Sequence, residues 1–358
     1  MIEIEGLRKV FRTRAKGTRW WQTLLGQGDT RTSVALEGLS LTVPQGSFYS
    51  LLGANGAGKT TTMKVLCTLL LPDAGAARVA GYDVVTQPRQ VRERLGVSIR
   101  GERSVYWRLT GKQNLEYFAA LSGMRGQDAK RRIQDVIELV GLAARSDDYV
   151  ERYSMGMKQR LAIGCALVHR PPVLLLDEPT IGLDPHGARS LRRFIRDDLC
   201  TQQGVTVLYT THYMHEAEEL SDRIAVLHDG RIVAEGTPEH VRAGAARENA
   251  LEIRLRGLGD DALTALRNHP AVASVSRSLD KQDAATLHIT ARNGDLPVTS
   301  LVELATRSGA QLLSVQVLRP SLEDAFVALT GTSVSASGEA VSVGVAEAVG
   351  ATGVADVN

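Results

Sequence analysis

Aromatic residues make up only 4% of this 358-residue chain, and cysteine occurs three times. Cys67, Cys165 and Cys200 stand far apart, which excludes a disulfide-stapled scaffold or a cysteine metal centre and suits free thiols in a reducing cytoplasm. No stretch reaches the roughly 18 uninterrupted apolar residues of a transmembrane helix. Met1-Ile2-Glu3-Ile4-Glu5 lacks the basic region and apolar run of a secretion signal. A formal net charge of +2 leaves no basic footprint for nucleic acid, so no nucleic-acid partner is expected. These absences predict a soluble chain whose membrane role, if it has one, comes through a partner. What is present is an apolar fraction of 43%, enough for a substantial core in one large or two ordinary domains.

Ile2-Glu3-Ile4 and Leu39-Ser40-Leu41-Thr42-Val43 alternate as half-buried strands do. Phe48–Leu52, Val173–Leu176 and Val205–Tyr209 are short buried β-rich runs. Helical patterns lie between them at Thr60–Leu70, Lys112–Leu121 and Lys130–Val140. Strands alternating with helices predict an α/β domain over residues 1–242. After a linker at Ala243–Asn249 the order changes to βαββαβ, a small ferredoxin-like α+β domain over 250–330. It closes on a helix from Ser321 to Leu329 with a capped start. The tail 331–358 has too little large apolar surface to offset its ordering entropy, so disorder is expected there.

Gly53-Ala54-Asn55-Gly56-Ala57-Gly58-Lys59-Thr60 follows a strand and opens a helix, the context a P-loop requires. Its glycines let backbone N–H groups close around phosphate, and the helix N-terminus adds positive potential. Gly53, Asn55, Gly56, Ala57, Gly58, Lys59, Thr60 and Thr61 are therefore expected to bind ATP. Lys59 would face the β- and γ-phosphates and the Thr60 hydroxyl would ligate Mg²⁺. Val173-Leu174-Leu175-Leu176-Asp177-Glu178 is a buried strand ending in two carboxylates, where α/β sheets place ligands. Asp177 is expected to hold Mg²⁺, and Glu178 to polarise the attacking water.

Between these motifs, Tyr153-Ser154-Met155-Gly156-Met157-Lys158-Gln159-Arg160 resembles the signature sequence of ABC transporter ATP-binding subunits. Ser154, Gly156, Lys158, Gln159 and Arg160 match that pattern, while Tyr153, Met155 and Met157 depart from it. Pro179-Thr180-Ile181-Gly182-Leu183-Asp184 resembles the family's D-loop, and Thr210-Thr211-His212 its switch-histidine motif. The resemblance covers residues 1–240. It implies a head-to-tail dimer in which Ser154, Gly156 and Asp184 of one copy complete the ATP site of the other. It also implies a γ-phosphate contact from His212, hydrolysis coupled to transport, separate transmembrane permease subunits, and a place on the cytoplasmic face of the membrane. The rival role, a non-transport ABC ATPase acting on ribosome or DNA, would bring a second cassette or a long coiled-coil insertion, and neither is present.

The family's Q-loop glutamine falls at Gly101, followed by Glu102, so Glu102 takes over or the ligand is missing. Phe11 reads either as the base-stacking aromatic or as a core residue. An insertion at 12–33 carries Arg12, Arg14, Lys16 and Arg19 before Trp20 and Trp21. It reads as a segment facing membrane or partner, or as a solvated loop whose indoles pack locally. Arg319-Pro320-Ser321-Leu322-Glu323-Asp324-Ala325-Phe326 resembles the C-terminal end of ABC-2 type drug- and polyketide-export subunits, which favours an exporter.

Overall fold

The structure, a computed structural model, describes residues 1–14, 30–99, 104–245, 250–279, 284–292, 296–307, 309–318, 321–334 and 340–342. Trp20 and Trp21, the Gly101–Glu102 position and most of the tail lie outside the described residues. The chain divides into two units, Met1–Val241 and Arg242–Asn358.

The strands of the first unit are β1 (Ile2–Arg14), β2 (Thr30–Val43), β3 (Phe48–Leu52), β4 (Ala74–Val79), β5 (Tyr82–Asp83), β6 (Leu95–Ile99), β7 (Val173–Asp177), β8 (Thr206–Thr211), β9 (Arg223–His228) and β10 (Arg231–Gly236). An antiparallel sheet takes the order β2-β1-β4-β5. The ends of the expected insertion continue its hairpin, with Arg12 opposite Thr32 and Arg14 opposite Thr30. The second sheet has the order β10-β9-β3-β8-β7-β6 and is parallel from β9 to β6.

Parallel strands covered on both faces read as unbroken apolar runs. In β7, Val173 and Leu175 enter a core shared with the hairpin sheet, while Leu174 and Leu176 enter a second core shared with helices. Those helices include Gly111–Leu121, Gly126–Leu139 and Met155–Leu167. Thr110 starts the first of them with a capping box, its hydroxyl accepting from Gln113 N while the Gln113 side chain reaches back. Buried Arg132 donates to the carbonyls of Leu167 (2.7 Å) and Val168 (3.1 Å), groups a helix end leaves without partners. With β3, β7 and β8 side by side, their C-terminal ends meet at one edge, where the site forms.

The second unit runs β11 (Ala250–Arg256), helix Asp260–Arg267, β12 (Val272–Leu279), β13 (Ala284–Ala291), helix Val298–Thr306 and β14 (Gln311–Leu318). The sheet order β12-β13-β11-β14 and its antiparallel pairing are those of the expected ferredoxin-like arrangement. Leu251, Ile253, Leu255, Leu287 and Ile289 meet Leu263, Leu266 and Leu301 in its core. The helix Leu322–Thr330 is capped by Ser321, whose hydroxyl accepts from Asp324 N at 3.1 Å. Beyond it β15 (Thr332–Val334) pairs with β16 (Ala340–Ser342), two short strands where composition predicts none. No helix among the described residues is long and apolar enough to cross a membrane.

Candidate functional site

The loop after β3 is shaped by two close approaches. A Cβ on Gly53 would lie 2.5 Å from the Leu227 carbonyl oxygen, and one on Gly58 would lie 2.7 Å from that of Ala35. Gly58 also takes φ +114°, which disfavours any side chain. Asn55 and Gly56 stay exposed, while Ala57 and Lys59 are buried. Helix Lys59–Leu66 starts immediately after the loop, so its unpaired N–H groups form an anion cradle. Thr61, in its first turn, is half-buried. Lys59 Nζ donates to the carbonyls of Gly53 (2.6 Å) and Ala54 (3.1 Å) and lies 3.3 Å from Glu178 Oε1. Burial pulls the Lys59 pKa down; Glu178 and Asp177 oppose this, and the net result is below the ordinary value.

At the end of β7, Asp177 Oδ2 accepts from the Thr60 hydroxyl at 3.1 Å and Oδ1 from the Thr210 hydroxyl at 2.6 Å. Carboxylate and hydroxyl oxygens aimed at one another form a hard-donor pair that fits Mg²⁺. The next residue, Glu178, takes φ +50°, a left-handed conformation that costs a non-glycine residue of order 1 kcal/mol or more. Its N–H is held by the Thr210 hydroxyl (3.1 Å) and carbonyl (3.1 Å). That backbone turns the carboxylate off the strand line, toward Lys59 and His212. His212 Nδ1 lies 3.1 Å from Glu178 Oε1. Burial works to raise the Glu178 pKa, but the His212 hydrogen bond and the Lys59 cation outweigh it and hold it below the usual range. His212 is 4% exposed, and its Nε2 is buried without a hydrogen-bond partner. The loop N–H groups, the Lys59 ammonium and the Thr60 and Asp177 oxygens together fit a nucleoside triphosphate with Mg²⁺.

The structure thus brings together Lys59, Thr60, Asp177, Glu178 and His212. Ser154, Gly156 and Asp184 stand on the starts of two other helices. Exposed Ser154 caps Met155–Leu167, accepting from Met157 N at 3.3 Å. Asp184 is exposed at the head of Pro185–Arg193. The nearest atom to a Cβ on Gly156 would be Leu183 Cδ2 at 4.0 Å, so no crowding within this chain requires glycine there. Phe11 is not in the core: it is 38% exposed on β1, with Lys9 Nζ 5.9 Å above its ring.

The departures from the signature pattern have local causes. Tyr153 is buried and its hydroxyl donates to the Arg145 carbonyl at 2.6 Å. Met155 Cε would lie 3.9 Å from a Cβ on Gly182, and Met157 packs against the helix-side core. Thr210 holds both Asp177 and Glu178, a role that its place in the Thr210-Thr211-His212 motif does not disclose.

Residues 36–181 match the family described as ABC transporter. The linearmycin resistance ATP-binding protein LnrL of Bacillus subtilis is 34% identical over 296 residues, 83% of this chain and 93% of that protein. The daunorubicin/doxorubicin resistance ATP-binding protein DrrA of Streptomyces peucetius is 37% identical over 340 residues, 92% of each chain. Among solved structures, an ATP-binding subunit of an ABC transporter aligns with TM-score 0.55 and 28% identity over 68% of this chain and 92% of its own. A dimeric, post-hydrolysis ATP-binding cassette bound to ADP and Pi shares the fold, with TM-score 0.56 at 22% identity over 66% of this chain and 98% of that one.

Proposed function

The chain belongs to the ABC transporter family as an ATP-binding, ATP-hydrolysing subunit, and on that premise we propose that it powers ABC-2 type export as a head-to-tail dimer on the cytoplasmic face of a cell membrane, bound to separate membrane-spanning subunits. Relatives matched over nine-tenths of their length are named for resistance to linearmycin and to daunorubicin, which supports export of drug-like small molecules and disfavours a role on ribosome or DNA.

The observation that carries the reading is the junction of Lys59, Glu178 and His212 at one strand edge. Loop N–H groups and Lys59 take the β- and γ-phosphates. Thr60 and Asp177 would hold Mg²⁺, which supplies neutralisation of phosphate charge when bound. As the Lys59 ammonium turns to phosphate oxygens, Glu178 loses its cation. Burial and the arriving negative charge then raise its proton affinity, which makes it a stronger base toward water. His212 reaches the γ-phosphate, and Phe11 stacks on the adenine. Exposed Ser154 and Asp184, with half-buried Gly156, are uncommitted to this chain's own site and close over the nucleotide of the second copy.

Size-exclusion chromatography of Glu178→Gln tests the dimer. With MgATP the variant is expected to elute as a dimer, and adding Ser154→Arg is expected to return it to monomer. A monomer throughout removes the dimeric reading.

A further inference from the structure

Glu216 is 2% exposed, four residues beyond His212 on the helix Met214–Leu220. A carboxylate that far from water is costly unless fully engaged, and its two hydroxyl partners lead to the hydrolytic residues. Its Oε2 accepts from the hydroxyls of Tyr209 and Thr211, both at 2.9 Å. Its Oε1 faces Arg192 Nη1 at 3.3 Å. Thr211 Oγ1 in turn accepts from Tyr213 N at 2.9 Å, so the residues on both sides of His212 are pinned through one hydroxyl to one carboxylate. The Tyr209 hydroxyl lies 3.4 Å from that of Thr180, two residues after Glu178. Arg192, 7% exposed, sits in the helix that begins at Pro185, directly after Asp184, and also bonds Glu219 at 3.0 Å.

Together these contacts close a ring. It runs from Glu178 along the chain to Thr180, through Tyr209 to Glu216, through Thr211 to His212, and from His212 Nδ1 back to Glu178 Oε1. We propose that Glu216 is a positioning residue for hydrolysis: it sets the spacing of His212 and Glu178 by joining the end of β8 to the loop and helix that follow Glu178. Packed apolar residues in place of the whole buried network could hold this part of the core as well. What the carboxylate adds is direction, because its acceptor oxygens fix the rotation of both hydroxyls and hence the backbone at His212. The proposal rests on the reading of Glu178 and His212 as the hydrolytic pair.

The test uses the full-length chain with MgATP and two variants, Glu216→Gln and Tyr209→Phe, each alone and with His212→Ala. Tyr209→Phe removes only the hydroxyl and keeps the ring that packs 5.5 Å from Phe48. In each single variant kcat is expected to fall about 10- to 100-fold, the scale of a misplacement near 1 Å, with little change in KM for ATP. With His212→Ala already present, neither variant is expected to lower kcat further by more than about twofold, because groups acting as a unit are non-additive. A second full loss in the His212→Ala background would mean a structural role alone and overturns the proposal. So does normal turnover by folded Tyr209→Phe, which carries the test if Glu216→Gln does not fold. Normal turnover by His212→Ala alone would instead remove the hydrolytic reading, and this proposal with it.

Discussion

Lys59 Nζ lies 3.3 Å from Glu178 Oε1, so the P-loop cation and the acid at the end of β7 hold one another. Phosphate oxygens compete with Glu178 and with two loop carbonyls for the same ammonium. Removing the ammonium by Lys59→Ala deletes a charge-assisted contact of about 1.5–3 kcal/mol. ATP affinity is therefore expected to fall roughly ten- to a hundredfold. Isothermal titration with ATP checks this, and unchanged affinity would count against the P-loop assignment.

Glu178→Gln leaves the phosphate contacts in place and removes the base. Turnover is expected to fall about 10²–10⁴-fold, the usual contribution of a positioned base, while ATP affinity is kept. Steady-state ATPase near the unmutated rate would sink the assignment of Glu178. The strained φ of +50° makes a second variant informative. Glu178→Gly relieves the backbone, so its melting temperature is expected to hold while its turnover is lost.

Much of this site was legible because its chemistry is local in sequence. Gly53 to Thr60 are consecutive, and Asp177-Glu178 ends a run whose apolar residues alternate between two cores. The βαββαβ order was readable for the same reason, since each strand and helix carries its own period. What could not be read was side-chain traffic between distant segments. Thr210 serves Asp177 from 33 positions away, and nothing in the run Val207-Leu208-Tyr209-Thr210-Thr211 says which hydroxyl faces which carboxylate. The helix at Gly111–Leu121 begins one residue earlier than its apolar pattern, because Thr110 and Gln113 close a capping box there.

Asp222 binds the start of β3 to the segment after Arg193. Its carboxylate accepts from Phe48 N at 2.8 Å and from both Arg196 Nη atoms, at 3.0 and 2.7 Å. Burial disfavours its ionisation, but the Arg196 and Phe48 hydrogen bonds outweigh that and hold the carboxyl below its usual range. A depressed folded-state value means the stabilisation is present above the unfolded value of about 3.9 and is lost as pH falls through the folded one. Asp222→Asn is therefore expected to lose about 1 kcal/mol at pH 7, allowing for the exposure of the pair. The gap should narrow below about pH 4. Urea melts at pH 7 and pH 3 measure both, and a gap that does not shrink in acid would exclude the ionised carboxylate as its source.

Gly111 and Tyr153 give the most specific packing prediction. A Cβ on Gly111 would collide with the Tyr153 hydroxyl, and the next atom, Tyr153 Cζ, would lie 3.2 Å away. Tyr153 cannot simply withdraw, because it is buried and its hydroxyl donates to the Arg145 carbonyl. Burial also pushes its pKa up to about 12, so the hydroxyl keeps its proton and its donor role across ordinary pH. Gly111→Ala alone is expected to cost about 1–3 kcal/mol through overpacking. Tyr153→Phe alone should cost about 1 kcal/mol for the lost hydrogen bond. Combined, the two should cost less than their sum, because removing the hydroxyl removes the atom the new methyl meets first. Urea melts of the two single variants and the double variant check this. Strict additivity would mean that the helix at Gly111 relieves the collision by shifting, and that the tyrosine is not what keeps a glycine at this position.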